Sequence, residues 1–384
     1  MRIKFKETPK QVELVKAMAS KNRITSEQAQ YAFAELMQPV IEKVILENDV
    51  TSGLFEDMPF NENDDPSLPL DPFRNYKEDT LSIWSQEVAG GLATNYVKAP
   101  TDEIKFTTFR VDSGISYEEK FARKARLPII AGYMTMMVQE LLRKRKYNAW
   151  TTLLTALALA SHKSVLATAS PHVFRATTAQ KFDLDELNYW FRLVRRLNVS
   201  IFGGSPTDNP FGLTDIWCSP EFVMAIRSLS YNPINTKGSN NTAGTNASGV
   251  ITLPDSDRTA LLNTAGTANF MGVNLHEMNE LGLIGEFNTI FDAVAGSTAY
   301  YKKDDSTNSA FVGGTTEEIV VGTNGGAPFG YRPIETSDED ASKSTFQLQP
   351  DDQFTRRSGR IGSYGWYNLG HLITTTRPLS GFIW

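Results

Sequence analysis

Three features of the sequence predict an α+β fold. One stretch, from Leu127 to Ala160, carries an apolar stripe long enough for a single continuous helix. Extended, β-prone segments lie on both sides of it, and several of these hold too much proline or too little apolar surface to form a core of their own.

Residues from about Pro9 to Asn48 read as helix in one or two pieces, with Val12, Leu14, Val15 and Met18 before a break near Asn22 and Ala32, Leu36, Val40 and Val44 after it. Thr25 is expected to cap the second piece, because Gln28 stands three residues on and can close a capping box. The next segment, Phe55 to Asp79, has eight acids against Arg74 and Lys77 and prolines at 59, 66, 69 and 72. Proline cannot donate to a ladder and interrupts a helix, so an extended arm is expected rather than core.

Two extended ribs follow, TLSIWSQEV and EIKFTTFRV, with Gly90, Gly91, Pro100 and Asp102 between them as bend formers. A two-stranded flap is marginal alone and needs a surface to lie on. In the long helix Pro128 fits the first turn, and Ile130, Met134, Met137, Leu141, Ala149, Leu153 and Leu157 return to one side. At about 1.5 Å per residue the element is about 50 Å long, well beyond the mean helix of about 11 to 12 residues.

DLDELNYWFRLVRRLN is a second clear helix. Asp183 is its expected N-cap, Glu186 the return of the box, and Leu187, Trp190, Phe191, Val194 and Leu197 its buried stripe. LTDIWCSPEFVMAIRSL runs from strand to helix, a junction at which many phosphate sites are built. Here Ser219 is the expected N-cap, Pro220 lacks an N–H, and Glu221 adds negative charge in the first turn, so the junction repels an anion. The stretches from Thr236 and from about Lys302 to Gly330, rich in Gly, Thr, Asn and Ser, are expected as loops or weakly ordered hairpins. The terminal Phe382, Ile383 and Trp384 are apolar enough to require docking.

Composition narrows the chemistry. A net charge of -6 over 384 residues argues against a chain that grips nucleic acid with its whole surface. Cys218 is the only cysteine, which leaves no intrachain disulfide and no thiolate cluster. No apolar signal core or membrane span is visible, and the chain reads as a cytosolic product. GxGxxG, GxxxxGK[ST] and GxSxG patterns do not occur. HEMNE at 276 to 280 has Glu280 where a metalloprotease helix needs its second histidine, and His276 reads as a strand or surface residue. Cys218 has no histidine close in sequence to act as base and reads as buried packing. Asp64 with Asp65 belong to the charged arm, and Glu118 with Glu119 to a solvated face. No catalytic, cofactor or metal site is expected, and the chain is not expected to be an enzyme.

Two basic runs stand out. Arg143, Lys144, Arg145 and Lys146 are either a solvated helix side or a contact for an acidic segment of a neighbour or for nucleic acid. Arg356, Arg357 and Arg360 have the same ambiguity, with Gly359 placed to bend the chain before a strand.

In their order these elements resemble the major capsid protein of tailed bacteriophages, whose shell fold is shared with encapsulins and, distantly, herpesvirus shells. LTDIWCSPEFVMAIRSL is similar to a strand-to-helix junction frequent in the axial domains of that family, and TANFMGVNLHEMNELG to the strand that follows. The resemblance implies an N-terminal arm at 1–75, an extended flap loop at 76–115, a spine helix and peripheral domain at 116–205, an axial domain at 206–355 and returning strands at 356–384. It implies flap contacts from Trp84, Tyr96, Lys98, Phe106 and Phe109, and assembly or DNA-facing contacts from Arg143 to Lys146. It further implies pentamers and hexamers of an icosahedral shell around packaged double-stranded DNA, with a separate scaffold, a portal and cement proteins, assembled in the host cytoplasm without a membrane. Lys98 lies near the flap bend, but no asparagine can be paired with it for the lysine–asparagine cross-link of some members. An encapsulin-like compartment shell is the alternative within the fold. A soluble hydrolase is the alternative outside it, and would need an inward-facing carboxylate or histidine cluster.

Overall fold

A computed structural model describes residues 3, 7–61, 67–69, 103–162, 170–181, 183–197, 212–230, 267–270, 272–302, 309–314, 316–324, 330–337, 340–344, 346–351, 358–374, 376 and 378–384. The chain divides into two compact units, Met1–Ala149 with Tyr331–Leu372, and Trp150–Gly330 with Ile373–Trp384.

In the first unit, helices α1 (Pro9–Met18) and α2 (Arg23–Glu47) are separated where expected. The cap is Asn22 and not Thr25: its Oδ1 accepts from the Ile24 N–H at 3.2 Å, and Thr25 is already inside the helix. Ala29, Phe33, Met37, Ile41 and Ile45 make the buried stripe of α2, at three- and four-residue spacing. The start of the acidic segment is extended but belongs to a sheet, because strand Glu56–Asn61 pairs in parallel with Gly330–Ser337. Ser67–Pro69 pairs with Glu103–Lys105.

The second expected rib is split: its start, Glu103–Lys105, is the strand paired with Ser67–Pro69, and its end opens a separate, longer strand. Strand Phe109–Glu118 pairs antiparallel with Arg360–Leu369 along its whole length, and Gln347–Asp351 lies on the other edge of Arg360–Leu369. Period-two alternation sends Ile361, Ser363, Gly365, Tyr367 and Leu369 inward. A Cβ at Gly365 would overlap the Phe346 ring, which fills the space that the glycine leaves. Gly359, at φ +64°, supplies the bend before this strand. A short helix, α3 (Glu119–Arg123), then leads into α4 (Leu127–Leu159), whose 33 residues match the expected rod. Ile130, Met134, Met137 and Leu141 of α4 join Phe33, Met37 and Ile41 of α2 and Val111, Tyr117, Ile361 and Leu369 of the sheet in one core.

The second unit is built on an eight-stranded mixed sheet, in the order Ser309–Ala310, Ala299–Lys302, Val173–Arg175, Leu379–Ile383, Ile319–Thr323, Asp215–Cys218, Val273–Glu277 and Thr267–Phe270. The two central strands, Leu379–Ile383 and Ile319–Thr323, are buried at every residue, the signature of a sheet covered on both faces. One expectation is corrected here and one is met. The stretch from Lys302 to Gly330 contains a core strand, IVVGT, and is not all loop. The apolar tail docks into its own unit: Phe382 stacks on Phe174 and Trp190, and Trp384 meets Phe222 edge-on at 5.2 Å. Helices α5 (Leu184–Leu197) and α6 (Pro220–Ser230) bury Leu187, Trp190, Phe222 and Ile226 against the sheet. Trp150, from the part of α4 belonging to this unit, stacks on Phe287 of helix Glu286–Ala295 at 5.4 Å.

Asp183 caps α5 by accepting from the Asp185 N–H at 2.9 Å. Glu186 does not close the box, because its Oε1 accepts from the Thr177 N–H and fastens the preceding turn to the helix.

Candidate functional site

The strand-to-helix junction, Asp215–Cys218 into α6, is built around the Ser219 side chain. Ser219 Oγ accepts from the Phe222 N–H at 3.1 Å, capping α6, and donates to Glu318 Oε1 at 2.6 Å. The Phe222 N–H is thus taken by Ser219, and a buried carboxyl, Glu318, stands at this helix start where an anion site needs positive potential. Burial lifts the Glu318 carboxyl to about 7, with the Ser219 hydrogen bond opposing the rise and Glu221 adding to it. Cys218 beside it is fully buried, and burial, with Glu318 and Glu277, pushes its thiol well above the usual range. A thiol held protonated in this way is no nucleophile.

His276 lies on strand Val273–Glu277, not on a helix, so the HEMNE resemblance to a metalloprotease fails in backbone geometry. Its ring stacks on Trp217 at 4.3 Å and its Nε2 is 2.8 Å from Asp215 Oδ1. Burial alone would raise the Asp215 carboxyl, but hydrogen bonds from Thr214, His276 and Asn274 hold it below the usual range. Among the described residues no group of three or more His, Cys, Asp or Glu side chains could hold a metal ion. Glu118 is exposed and ion-paired with Lys120, and Glu119 with Arg123 at 2.7 Å; Asp64 and Asp65 lie outside the described residues.

The structure separates the four residues of the basic run. Arg143 and Lys144 are exposed and Lys146 is half-buried, whereas Arg145 is buried and ion-paired with Asp49 at 2.9 Å. Arg145 is therefore corrected from a surface contact to an interior one. The reason is register: position 145 lies midway between Leu141 and Ala149, four residues from each, on the buried stripe itself.

Arg145 enters a network that sequence reasoning missed. Arg332, in strand Gly330–Ser337, is 1% exposed. It donates to Asp57 Oδ1 at 2.6 Å, to Thr51 Oγ1 at 3.1 Å and, through Nη1, to Asp49. Burial would raise the Asp49 carboxyl, yet Arg145, Arg332 and two hydrogen bonds from Thr51 hold it below the usual range. Burial, then Arg332, pulls the Arg145 guanidinium below its usual value. His371 sits against Phe55 at 5.1 Å and Phe109 at 6.3 Å, and burial with the two guanidiniums lowers it to about 3, so it stays neutral.

Of the expected flap contacts, Trp84, Tyr96 and Lys98 lie outside the described residues. Phe106 is buried within the first unit, and Phe109 packs against its core, so both are engaged with their own chain. Arg356 and Arg357 also lie outside the described residues, and Arg360 is exposed.

No protein-family model matches the chain, and no curated protein matches it by sequence. Solved structures do. The chain is similar to the capsid chain of an empty GTA particle, with 10% identity and a TM-score of 0.51 over 88% of this chain and 90% of that one. The mature capsid of bacteriophage PhiM1 matches at 11% identity and TM-score 0.47, covering 87% and 86%. The SrpI encapsulin of Synechococcus elongatus matches at 9% identity and TM-score 0.43, covering 87% and 86%. The GTA match, over 88% of this chain and 90% of that one, shows that this chain has the α+β fold of that capsid chain.

Proposed function

We propose that this chain, folded as a capsid subunit, is a structural shell protein. The observation that carries the reading is the likeness in fold to a capsid chain over 88% of this chain and 90% of that one. Surface chemistry supports it. Helix α2 leaves Ile24, Tyr31, Leu36, Val40 and Leu46 exposed, at 66%, 61%, 44%, 42% and 49%. So much apolar surface on one helix suits a subunit that is covered by its copies.

On this reading pentamers and hexamers close an icosahedral shell, each copy contributing modest patches that symmetry multiplies. In it the spine helix and peripheral domain at 116–205 and the axial domain at 206–355 build each capsomer, with the arm and flap reaching across neighbours. Packaged double-stranded DNA is contacted through exposed cations such as Arg143 and Lys144, without base readout, and the net acidic chain keeps that attraction weak. A scaffold, a portal and cement proteins are the expected partners, and the virion is the site of action, with assembly in the host cytoplasm. No described helix is long and apolar enough to cross a membrane.

Negative-stain microscopy of the expressed chain, alone and with its candidate scaffold, tests the proposal. Capsomers or closed shells are expected; compact single particles in both preparations would refute it. A Glu pair at Arg143 and Lys144 is expected to impair genome filling while particles still form, and full particles from that variant would remove the DNA-facing role.

A further inference from the structure

Residues 273–295, in the second unit, hold Glu277, Glu280, Glu286 and Asp292 and no lysine or arginine. Within this acidic stretch Ile284 is 87% exposed, on a turn braced from several sides. The Gly285 N–H donates to the Gly282 carbonyl at 2.7 Å, and a Cβ at Gly285 would overlap the Glu280 carbonyl, so glycine is what lets the turn close. Asn288 Nδ2 donates to the Leu283 carbonyl at 3.3 Å and the Met278 N–H to the Cys218 carbonyl at 2.8 Å, which ties the turn to helix Glu286–Ala295 and to the strand-to-helix junction. The first turn of α6 lies against it. Glu221 Oε2 is 3.2 Å from where a Cβ on Gly282 would stand, and Met224, three residues on, is 62% exposed. Glu221, Glu277 and Glu286 are exposed, whereas Arg227, the one cation of α6, is half-buried in its last turn. The whole is a rigid aliphatic knob rimmed with carboxylates.

A surface of opposite character lies elsewhere on the same unit. Residues 187–197 of α5 hold Arg192, Arg195 and Arg196 and no acid, and the acids of that helix, Asp185 and Glu186, stand in its first turn. Arg192 and Arg195 are exposed, with Arg192 over the Tyr189 ring at 4.7 Å, and Tyr189, Phe191 and Leu193 are only half-buried. None of Arg192, Arg195, Glu221, Glu277 and Glu286 has an ion-pair partner among the described residues. The two surfaces stand apart on the sheet. Helix α5 packs on strands Val173–Arg175 and Leu379–Ile383, through Phe174 on Tyr189 at 5.2 Å and Phe382 on Trp190 at 5.4 Å. The knob follows strand Val273–Glu277, which is four places along the sheet from Val173–Arg175. At about 4.8 Å per place the separation is about 19 Å.

We propose that the knob of one copy seats on the Arg192 and Arg195 face of α5 in a second copy, an inference that rests on the shell reading. Ile284 and Met224 meet the half-buried rings and the leucine of α5, and the glutamates face the arginines. Because the complementary surfaces lie at separate places on the unit, the contact is heterologous: each copy offers one half to the next, and the succession closes into a ring when the rotation allows. Charge selects the partner and its register, and the aliphatic centre supplies the burial. The braced turn has little freedom left to lose on binding.

The test is sedimentation of the full-length chain at low salt with two charge-reversed variants, Glu221→Arg with Glu286→Arg at the knob and Arg192→Glu with Arg195→Glu on α5. At a concentration where the unaltered chain is assembled, each variant alone is expected to sediment as a monomer. Their equimolar mixture is expected to assemble, because each offers the half that the other has lost, and so is the chain carrying all four reversals. Assembly in the mixture also shows that both variants are folded. If the unaltered chain assembles and either variant does so equally well, the contact is overturned while the shell reading stands; a mixture that stays monomeric overturns it in the same way. An unaltered chain that is monomeric at every concentration removes the shell reading and the contact with it.

Discussion

Arg143, Lys144 and Arg145 carry the same charge within one turn of α4, and their surroundings give them different work. Arg145→Met leaves Asp49 buried beside a single guanidinium. Breaking a buried ion pair from one side costs about 3–5 kcal/mol, and chemical denaturation is expected to show a loss of that size. The same measurement on Arg143→Glu with Lys144→Glu is expected to leave the midpoint unchanged, since both side chains are exposed. Glu318 makes a second prediction, through pH. Its carboxyl rises from 4.5 to about 7 on burial, so the fold favours the protonated form. That contribution is whole below 4.5, shrinks as pH rises and is gone above about 7. Glu318→Gln should therefore flatten the fall in thermal midpoint between about pH 5 and about pH 8. An unchanged slope would show that Glu318 is ionised throughout.

Among the elements, those whose cover comes from one periodic face were legible in the sequence. The rod Leu127–Leu159 and the break between α1 and α2 follow from spacing alone. Strand Ile319–Thr323 was hidden because five buried residues in a Gly- and Thr-rich setting show no alternation. Tail strand Leu379–Ile383 was recognisably apolar, but its place at the centre of a sheet depends on partners far along the chain, Val173–Arg175 and Ile319–Thr323. The Arg145 network was missed: its register with Leu141 and Ala149 was the one signal that could have marked a buried cation, while Asp49 and Arg332, its partners, are remote in sequence. Removing residues 379–384 is expected to abolish cooperative unfolding of the second unit and its near-ultraviolet circular dichroism, because two strands lose a neighbour at once. Leu141→Ala, in the core of the first unit, is expected to cost about 2–5 kcal/mol while the fold persists.

At the scale of the molecule, both candidate reasons for self-association shift in weight. The apolar tail and the second flap rib find cover within their own chain, so they no longer argue for neighbours. The exposed apolar positions of α2 still do. On the proposed reading, strand Glu56–Asn61, held to Arg332 through Asp57, is the fixed root of an arm that reaches another copy. Sedimentation of the purified full-length chain across a hundredfold range of concentration tests this account most directly. It predicts capsomer-sized or larger assemblies whose fraction grows with concentration; a single species of monomer mass at every concentration would contradict it.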